Sequence, residues 1–248
     1  MTVVFVHGNP ETAAIWGPLV GVLGRDDVVL LSPPGFGAPL PDGFGATVVE
    51  YRDWLETELE SIDGPIDLVG HDWGGGHVLN AVMHRPELVR SWASDVLGLF
   101  DADYVWHDMA QVWQTPGAGE ELIETMTGGD LTARTGLMAS LGIPDDIAAA
   151  IAEHLNADMG AAILALYRSA AQPAMAEAGR ALESAAARPG LSLLATKDPY
   201  LGANDTRRRA ASRAGARTEV LDGLGHWWMV EDPHRGAAAL TAFWQTLE

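Results

Sequence analysis

The chain has 248 residues, no cysteine and a formal net charge of −19, from 15 Lys and Arg against 34 Asp and Glu. Disulfides and thiolate metal sites are therefore excluded, and a field of that sign repels nucleic acid and anionic membrane. With 48% hydrophobic and 20% charged residues, the length suits one globular domain with a sizeable core and room for an insertion.

No apolar run approaches the ~20 residues needed to span a bilayer. Met1 leads directly into Thr2-Val3-Val4-Phe5-Val6, too short for a signal-peptide core and without basic residues before it, which predicts a cytoplasmic protein.

Residues 3–6 read as a buried strand ending in His7-Gly8-Asn9-Pro10. Ile15, Trp16, Leu19, Val20 and Leu23 fall at helical spacing and predict a helix over 12–23. A strand over 28–31 ends in Ser32-Pro33-Pro34-Gly35-Phe36-Gly37, which cannot be helical. Val48, Tyr51, Leu55 and Leu59 predict a helix over 47–62. A strand over 66–70, a Gly-rich turn, a helix over 75–84 and a strand over 89–94 follow. Apolar strands alternating with helices predict a parallel sheet covered on both faces, with right-handed crossovers.

From 99 to 180 no strand is predicted. Breaks at Thr115-Pro116-Gly117, Gly128-Gly129, Gly142-Ile143-Pro144 and Gln172-Pro173 separate helical segments. Alternation then resumes with a strand over 191–195, a helix over 205–214, a strand over 217–221 and a helix over 234–247. The expected organisation is an α/β core, 1–98 and 181–248, interrupted by a helical cap over 99–180. The basic triplet Arg207-Arg208-Arg209 reads as a solvated helix face.

Gly70-His71-Asp72-Trp73-Gly74 has the G-x-Nuc-x-G spacing of a nucleophile elbow, with Asp in the nucleophile's place. The flanking glycines permit a close strand–helix approach, and the helix N-terminus favours an anion. A carboxylate there can attack an electrophilic carbon to give an aspartyl ester, which a base and water must then hydrolyse. His226, in Leu224-Gly225-His226-Trp227-Trp228, lies between the last strand and the last helix and is the expected base. Asp198 and Asp95 both follow strands and compete to orient it. Asp198 is preferred and Asp95 stays open.

Among the other histidines, His71 is expected to pack under the elbow, His77 and His84 lie on its helix, and His154 and His234 look peripheral. No pair has metal-ligand spacing with a third ligand, so no metal or cofactor is expected. Trp106, Trp113, Trp227 and Trp228 are candidates to line an apolar pocket.

His7-Gly8-Asn9-Pro10-Glu11, Gly70-His71-Asp72-Trp73-Gly74 and Gly225-His226 together resemble the α/β-hydrolases of the epoxide hydrolase and haloalkane dehalogenase branch, over nearly the whole length. The resemblance implies an α/β-hydrolase fold, Asp72 as nucleophile, His226 as base and a helical cap. The family uses both acid positions. Its members usually carry two strands before the His-Gly strand, so about six strands are expected here rather than eight.

Asn9 and Trp73 resemble the halide-binding Asn and Trp of haloalkane dehalogenases, although Trp after the nucleophile also occurs in epoxide hydrolases. Trp113-Gln114-Thr115-Pro116-Gly117 resembles the epoxide hydrolase cap. Tyr167-Arg168 resembles the cap helix carrying a ring-opening Tyr, whose phenol protonates the epoxide oxygen. The place of a second such Tyr falls near Met109, and His107 or Tyr104 are its candidate replacements. A structural role is the simpler reading of His107. Fluoroacetate dehalogenases carry Arg after the nucleophile, and Trp73 there argues against a haloacid.

The expected function is hydrolysis of small apolar electrophiles through an aspartyl ester. Epoxides are preferred and haloalkanes are the alternative. The expected partners are the substrate and water, with a homodimer left open. A ligand-binding protein without turnover is the reading from another class. An esterase is disfavoured because the elbow carries Asp72 and not Ser.

Overall fold

Val3, Val4, Phe5 and Val6 are all apolar and all buried, which only a sheet covered on both faces accommodates. The structure, a computed structural model, describes residues 1–247. It contains β1 (Thr2–Val6), β2 (Val28–Leu31), β3 (Ile66–Gly70), β4 (Ser91–Ser94), β5 (Gly190–Ala195) and β6 (Arg217–Leu221). All pairings are parallel and the order is β2-β1-β3-β4-β5-β6.

The chain moves one way from β1 to β2, then returns past β1 to β3 and continues to the far edge. That reversal creates a switch point between β1 and β3, where a crevice opens beyond the carboxyl ends of the strands. Val6 stands opposite Gly70 and Gly70 opposite Ser94, so the three following loops leave the sheet at one level. Those loops carry Asn9, Asp72 and Asp95.

The helices are α1 (Gly17–Leu23), α2 (Val48–Glu60) and α3 (Trp73–His84), then α4 (Asp108–Gln114), α5 (Ala118–Thr127), α6 (Leu131–Ser140), α7 (Asp145–Ala152), α8 (Ala157–Ser169) and α9 (Ala174–Ala178), and finally α10 (Asn204–Arg213), α11 (Trp228–Glu231) and α12 (Pro233–Gln245). Right-handed crossovers in opposite directions put α1 on one face of the sheet and α2 and α3 on the other. Accordingly α1 packs on α12 and α2 on α3. Thr47 and Glu50 start α2 with a reciprocal capping box.

The helix expected over 12–23 is divided: a 3-10 turn, Ala13–Trp16, precedes α1. Pro18 causes this, because a residue without an N–H sits comfortably only in a helix's first turn. Among the described residues, the chain between β4 and β5 is helical wherever it is regular. This stretch packs Tyr167 against both Trp106 and Trp113, and sets Trp106 and Tyr167 against Trp73 at the start of α3. No helix among the described residues is long and apolar enough to cross a membrane.

The basic triplet on α10 departs from expectation. Arg208 is exposed, and Arg209 reaches out to pair with Asp101 and Asp103. Arg207 is instead one of the largest fully buried side chains in the molecule. It shares a helical stripe with Ala210, Ala211 and Ala214, all buried.

Candidate active site

Asp72 sits between β3 and α3 at φ 49° and ψ −129°, a conformation an L-residue adopts only where its surroundings force it. Those surroundings are tight. A Cβ on Gly70 would lie 2.5 Å from the Gly74 carbonyl oxygen, and one on Gly74 would lie 2.1 Å from that of Val6. The β1 loop presses on the elbow as well, since a Cβ on Gly8 would stand 2.3 Å from Asp72 Cβ. The Asn9 backbone N–H donates to Asp72 Oδ1 at 3.0 Å, and the Trp73 backbone N–H also faces this carboxylate. Two backbone donors thus converge where an oxyanion would form on an acyl Asp72.

Asp72 Oδ2 lies 3.8 Å from His226 Nε2. The other ring nitrogen, Nδ1, is 2.8 Å from Asp198 Oδ2, and the Tyr200 N–H donates to Asp198 Oδ1 at 2.8 Å. A carboxylate partner on Nδ1 assigns the ring proton there and leaves Nε2 toward Asp72. Burial pushes the Asp198 carboxyl up, but the charge and hydrogen bond of His226 outweigh it and hold the group at about 2. Burial opposes the His226 imidazolium, and the Asp198 charge more than compensates, so His226 titrates above its ordinary value. Asp72 is pushed up to about 6, chiefly by burial, with the His226 charge opposing. The Asp72 carboxylate is therefore formed as pH rises through that value.

Asp198 and not Asp95 reaches His226. Asp95 is engaged one layer lower: Oδ1 accepts the Asp72 backbone N–H at 3.1 Å, and Oδ2 accepts from His71 Nδ1 at 2.5 Å and from the Trp228 indole at 2.7 Å. Of the two competing acids, the fold sets Asp198 against His226 and turns Asp95 away from it. The physical reason is that its two oxygens are already taken by the elbow and by His71.

His71 does pack under the elbow, fully buried, and its Nε2 stands 3.2 Å from Glu11 Oε1. With an acceptor on each nitrogen the ring carries both protons. Burial works against that charge, but Asp95 and Glu11 hold His71 well above its ordinary value. Burial pushes Glu11 up as well, and the His71 charge brings it down to about 2. Glu11 also accepts the Gly8 N–H at 2.9 Å and the Trp227 indole N–H at 2.6 Å.

Glu11 is a site residue that sequence reasoning quoted only as part of a motif. Its buried charge could be suspected only once residue 71 was known to face it. Glu11, His71 and His226 bring potential ligand atoms within 4.8 Å of one another.

A narrow cavity of about 20 Å³ lies against Asp72 and His226. Asn9, His107, Trp113, Tyr167 and Tyr200 are among its walls. A second of the same size shares Asp72, His107, Tyr167 and Tyr200 and continues to Trp73 and Trp106. Tyr167 is buried, its ring 4.7 Å from Trp113 and 5.5 Å from Trp73. Burial raises its phenol well above the ordinary value and the Asp72 charge adds to this; Trp73 and Asn9 turn side-chain polar groups toward the hydroxyl and oppose the rise. Neither end of the Asn9 amide has a completed hydrogen bond among the described residues.

His107 begins α4, its Nδ1 accepting the Ala110 N–H at 3.2 Å. Burial lowers it to about 4, so the ring is neutral with its proton on Nε2. Tyr104 donates its hydroxyl to the Tyr200 carbonyl at 2.9 Å and has no proton left for a substrate. Trp106, Trp113 and Trp227 line the cavities as expected, whereas Trp228 lies beneath with Asp95. Tyr200, whose ring is 4.9 Å from His226 and 5.1 Å from His107, was not anticipated. Its signal was its place two residues after Asp198, in the same loop.

This geometry has counterparts. The model of the alpha/beta hydrolase family matches residues 3–239. The chain belongs to the alpha/beta hydrolase family. A haloalkane dehalogenase from Mesorhizobium japonicum is 28% identical over 142 residues, 49% of this chain and 42% of that protein. An epoxide hydrolase from Caballeronia sordidicola is 32% identical over 98 residues, 34% of this chain and 27% of that protein. The matched stretch therefore spans less than half the length of either relative. A loop variant of a haloalkane dehalogenase from Bradyrhizobium elkanii superposes with a TM-score of 0.75 at 20% identity, covering 99% of this chain and 89% of that one. At that identity the likeness is one of fold. It extends this alpha/beta hydrolase's match over almost the whole chain.

Proposed function

We propose that this alpha/beta hydrolase is an enzyme that opens small apolar epoxides to diols through an ester on Asp72. Asp72 Oδ2 attacks an epoxide carbon, the C–O bond breaks, and Tyr167 gives its proton to the departing oxygen. His107, neutral with a free Nε2–H, is the second donor toward that oxygen. Water then attacks the ester carbonyl while His226 Nε2 takes its proton and Asp198 stabilises the imidazolium; the ester C–O bond breaks, the imidazolium returns that proton to the departing alkoxide, and the acid proton left on Asp72 restores Tyr167. The N–H groups of Asn9 and Trp73 hold the oxyanion until the diol leaves. The helical stretch over 99–180 acts as the lid that keeps bulk water out.

The observation that carries this reading is the buried Tyr167, a phenol that lines the same cavity as Asp72 and Asn9. An epoxide oxygen leaves as a strong base and needs a proton, which a phenol supplies. A halide needs none. One observation favours carbon–halogen cleavage as the second reading. Asn9 has an uncommitted amide beside the Trp73 indole, and two N–H donors suit a departing halide.

A panel of short terminal epoxides and bromoalkanes separates the two. Diol from the epoxides is the expected product. Halide release with no diol would replace this reading by the second, and no product from any member would reject both.

A further inference from the structure

We infer that Arg207 is a positioning residue for the acid–base pair: it fixes the turn that carries Asp198 and keeps a permanent positive charge behind that carboxylate, so that His226 stays oriented to take a proton from water. This rests on the two-step reading above and concerns its second step.

The argument starts from placement. Arg207 is fully buried on the inner stripe of α10. Its Nη1 donates to the Ala195 carbonyl at 2.7 Å and to Asn204 Oδ1 at 3.3 Å. That Ala195 carbonyl is also the acceptor for the Asp198 N–H at 3.3 Å. Arg207 and the triad acid therefore share one anchor at the end of β5. Asn204 completes the clamp by donating to the Thr196 carbonyl at 3.4 Å. On its other side Arg207 lies against Gly98, where a Cβ would stand 3.0 Å from its Cγ. The Arg207 side chain thus packs with its stem against the segment after β4 and hydrogen-bonds with its head to the end of β5. Burial pulls the guanidinium below its ordinary value, and the Asp198 and Asp95 charges oppose that.

Packing alone does not account for such a residue. A buried guanidinium loses its hydration, and Nε and Nη2 find no hydrogen-bond partner among the described residues. An apolar side chain of similar volume would fill this space at lower cost to folding. What an apolar residue would not provide is the second hold on Ala195 and the charge behind Asp198. Attack by Asp72 requires no base, so it should not depend on Arg207. Ester hydrolysis requires His226 to accept a proton while Asp198 stays ionised and in line, so it should.

The test follows a short terminal epoxide that the wild-type protein hydrolyses, by rapid quench and intact mass. In Arg207→Met, ester formation should keep its wild-type rate while ester hydrolysis slows by roughly tenfold or more, so that the adduct accumulates. Arg207→Lys, which keeps the charge and loses the guanidinium's reach, should recover part of the loss. A purely structural role would depress both steps together or reduce the number of active molecules. Either pattern, or hydrolysis at the wild-type rate, overturns the inference.

If Arg207→Met does not fold, Arg207→Lys alone carries the comparison with the same criteria. If neither folds, Arg207 is structural and the inference is overturned. His226→Gln separates the levels. No adduct in His226→Gln rejects the aspartyl-ester reading itself. An adduct there, with none in the Arg207 variants, rejects only the role given to Arg207.

Discussion

Asn9, Trp73 and Tyr167 suggest different leaving groups when taken singly from the sequence, and in the folded chain they occupy one spot. The amide and the indole both turn toward the Tyr167 hydroxyl, and Tyr167 lines the same cavity as Asp72. Tyr167→Phe removes the proton and little else. Adduct formation with an epoxide should fall by roughly a hundred- to ten-thousandfold, the usual worth of a general acid, while adduct formation with a bromoalkane should not fall. Equal loss with both substrates would contradict the acid role.

At this scale the sequence identifies residue types and order but not partners. Asp95 and Asp198 both follow parallel strands at the same sheet edge, so spacing leaves them equivalent. Only the occupation of Asp95 by His71, Trp228 and the Asp72 N–H separates them. Glu11 stayed unassigned for the same reason, since its role depends on contacts across 60 and 216 residues of chain.

Among the elements, the β3–α3 elbow was the most legible, because its geometry is local. Glycine is required wherever backbone approaches backbone, and the spacing of Gly70 and Gly74 records that directly. Gly74→Ala places a methyl 2.1 Å from the Val6 carbonyl oxygen, which belongs to β1, a strand paired on both sides that cannot move aside. The expected cost is about 4 kcal/mol or more, in the range of exceptional single substitutions. Thermal or denaturant unfolding reads it, and a variant of wild-type stability would show that the elbow is less constrained than described.

Helix α10 is the opposite case. Three adjacent arginines read as a solvated face because charged residues are rarely buried. The helical phase held the better signal, since Arg207 stands three, four and seven residues before Ala210, Ala211 and Ala214. The break before α1 was likewise readable from Gly17-Pro18, but Ile15, Trp16 and Leu19 gave a continuous apolar stripe that hid it.

Over the whole molecule, the strand order explains why residues from positions 9 to 228 meet. The reversal between β2 and β3 opens the switch point, and the helical stretch between β4 and β5 brings its aromatics over it. Charge acts at this scale too: a net −19 disfavours anionic ligands, in keeping with a cavity whose remaining walls are mostly aromatic and apolar. On the proposed reading, all of these features serve one chemical event, the transfer of a small electrophile onto Asp72. The most direct measurement is the intact mass of His226→Gln after exposure to a short terminal epoxide that the wild-type protein hydrolyses, with the modified peptide then located. The account predicts a mass gain equal to one epoxide, carried on Asp72. An unmodified protein, or an adduct on any other residue, would contradict it.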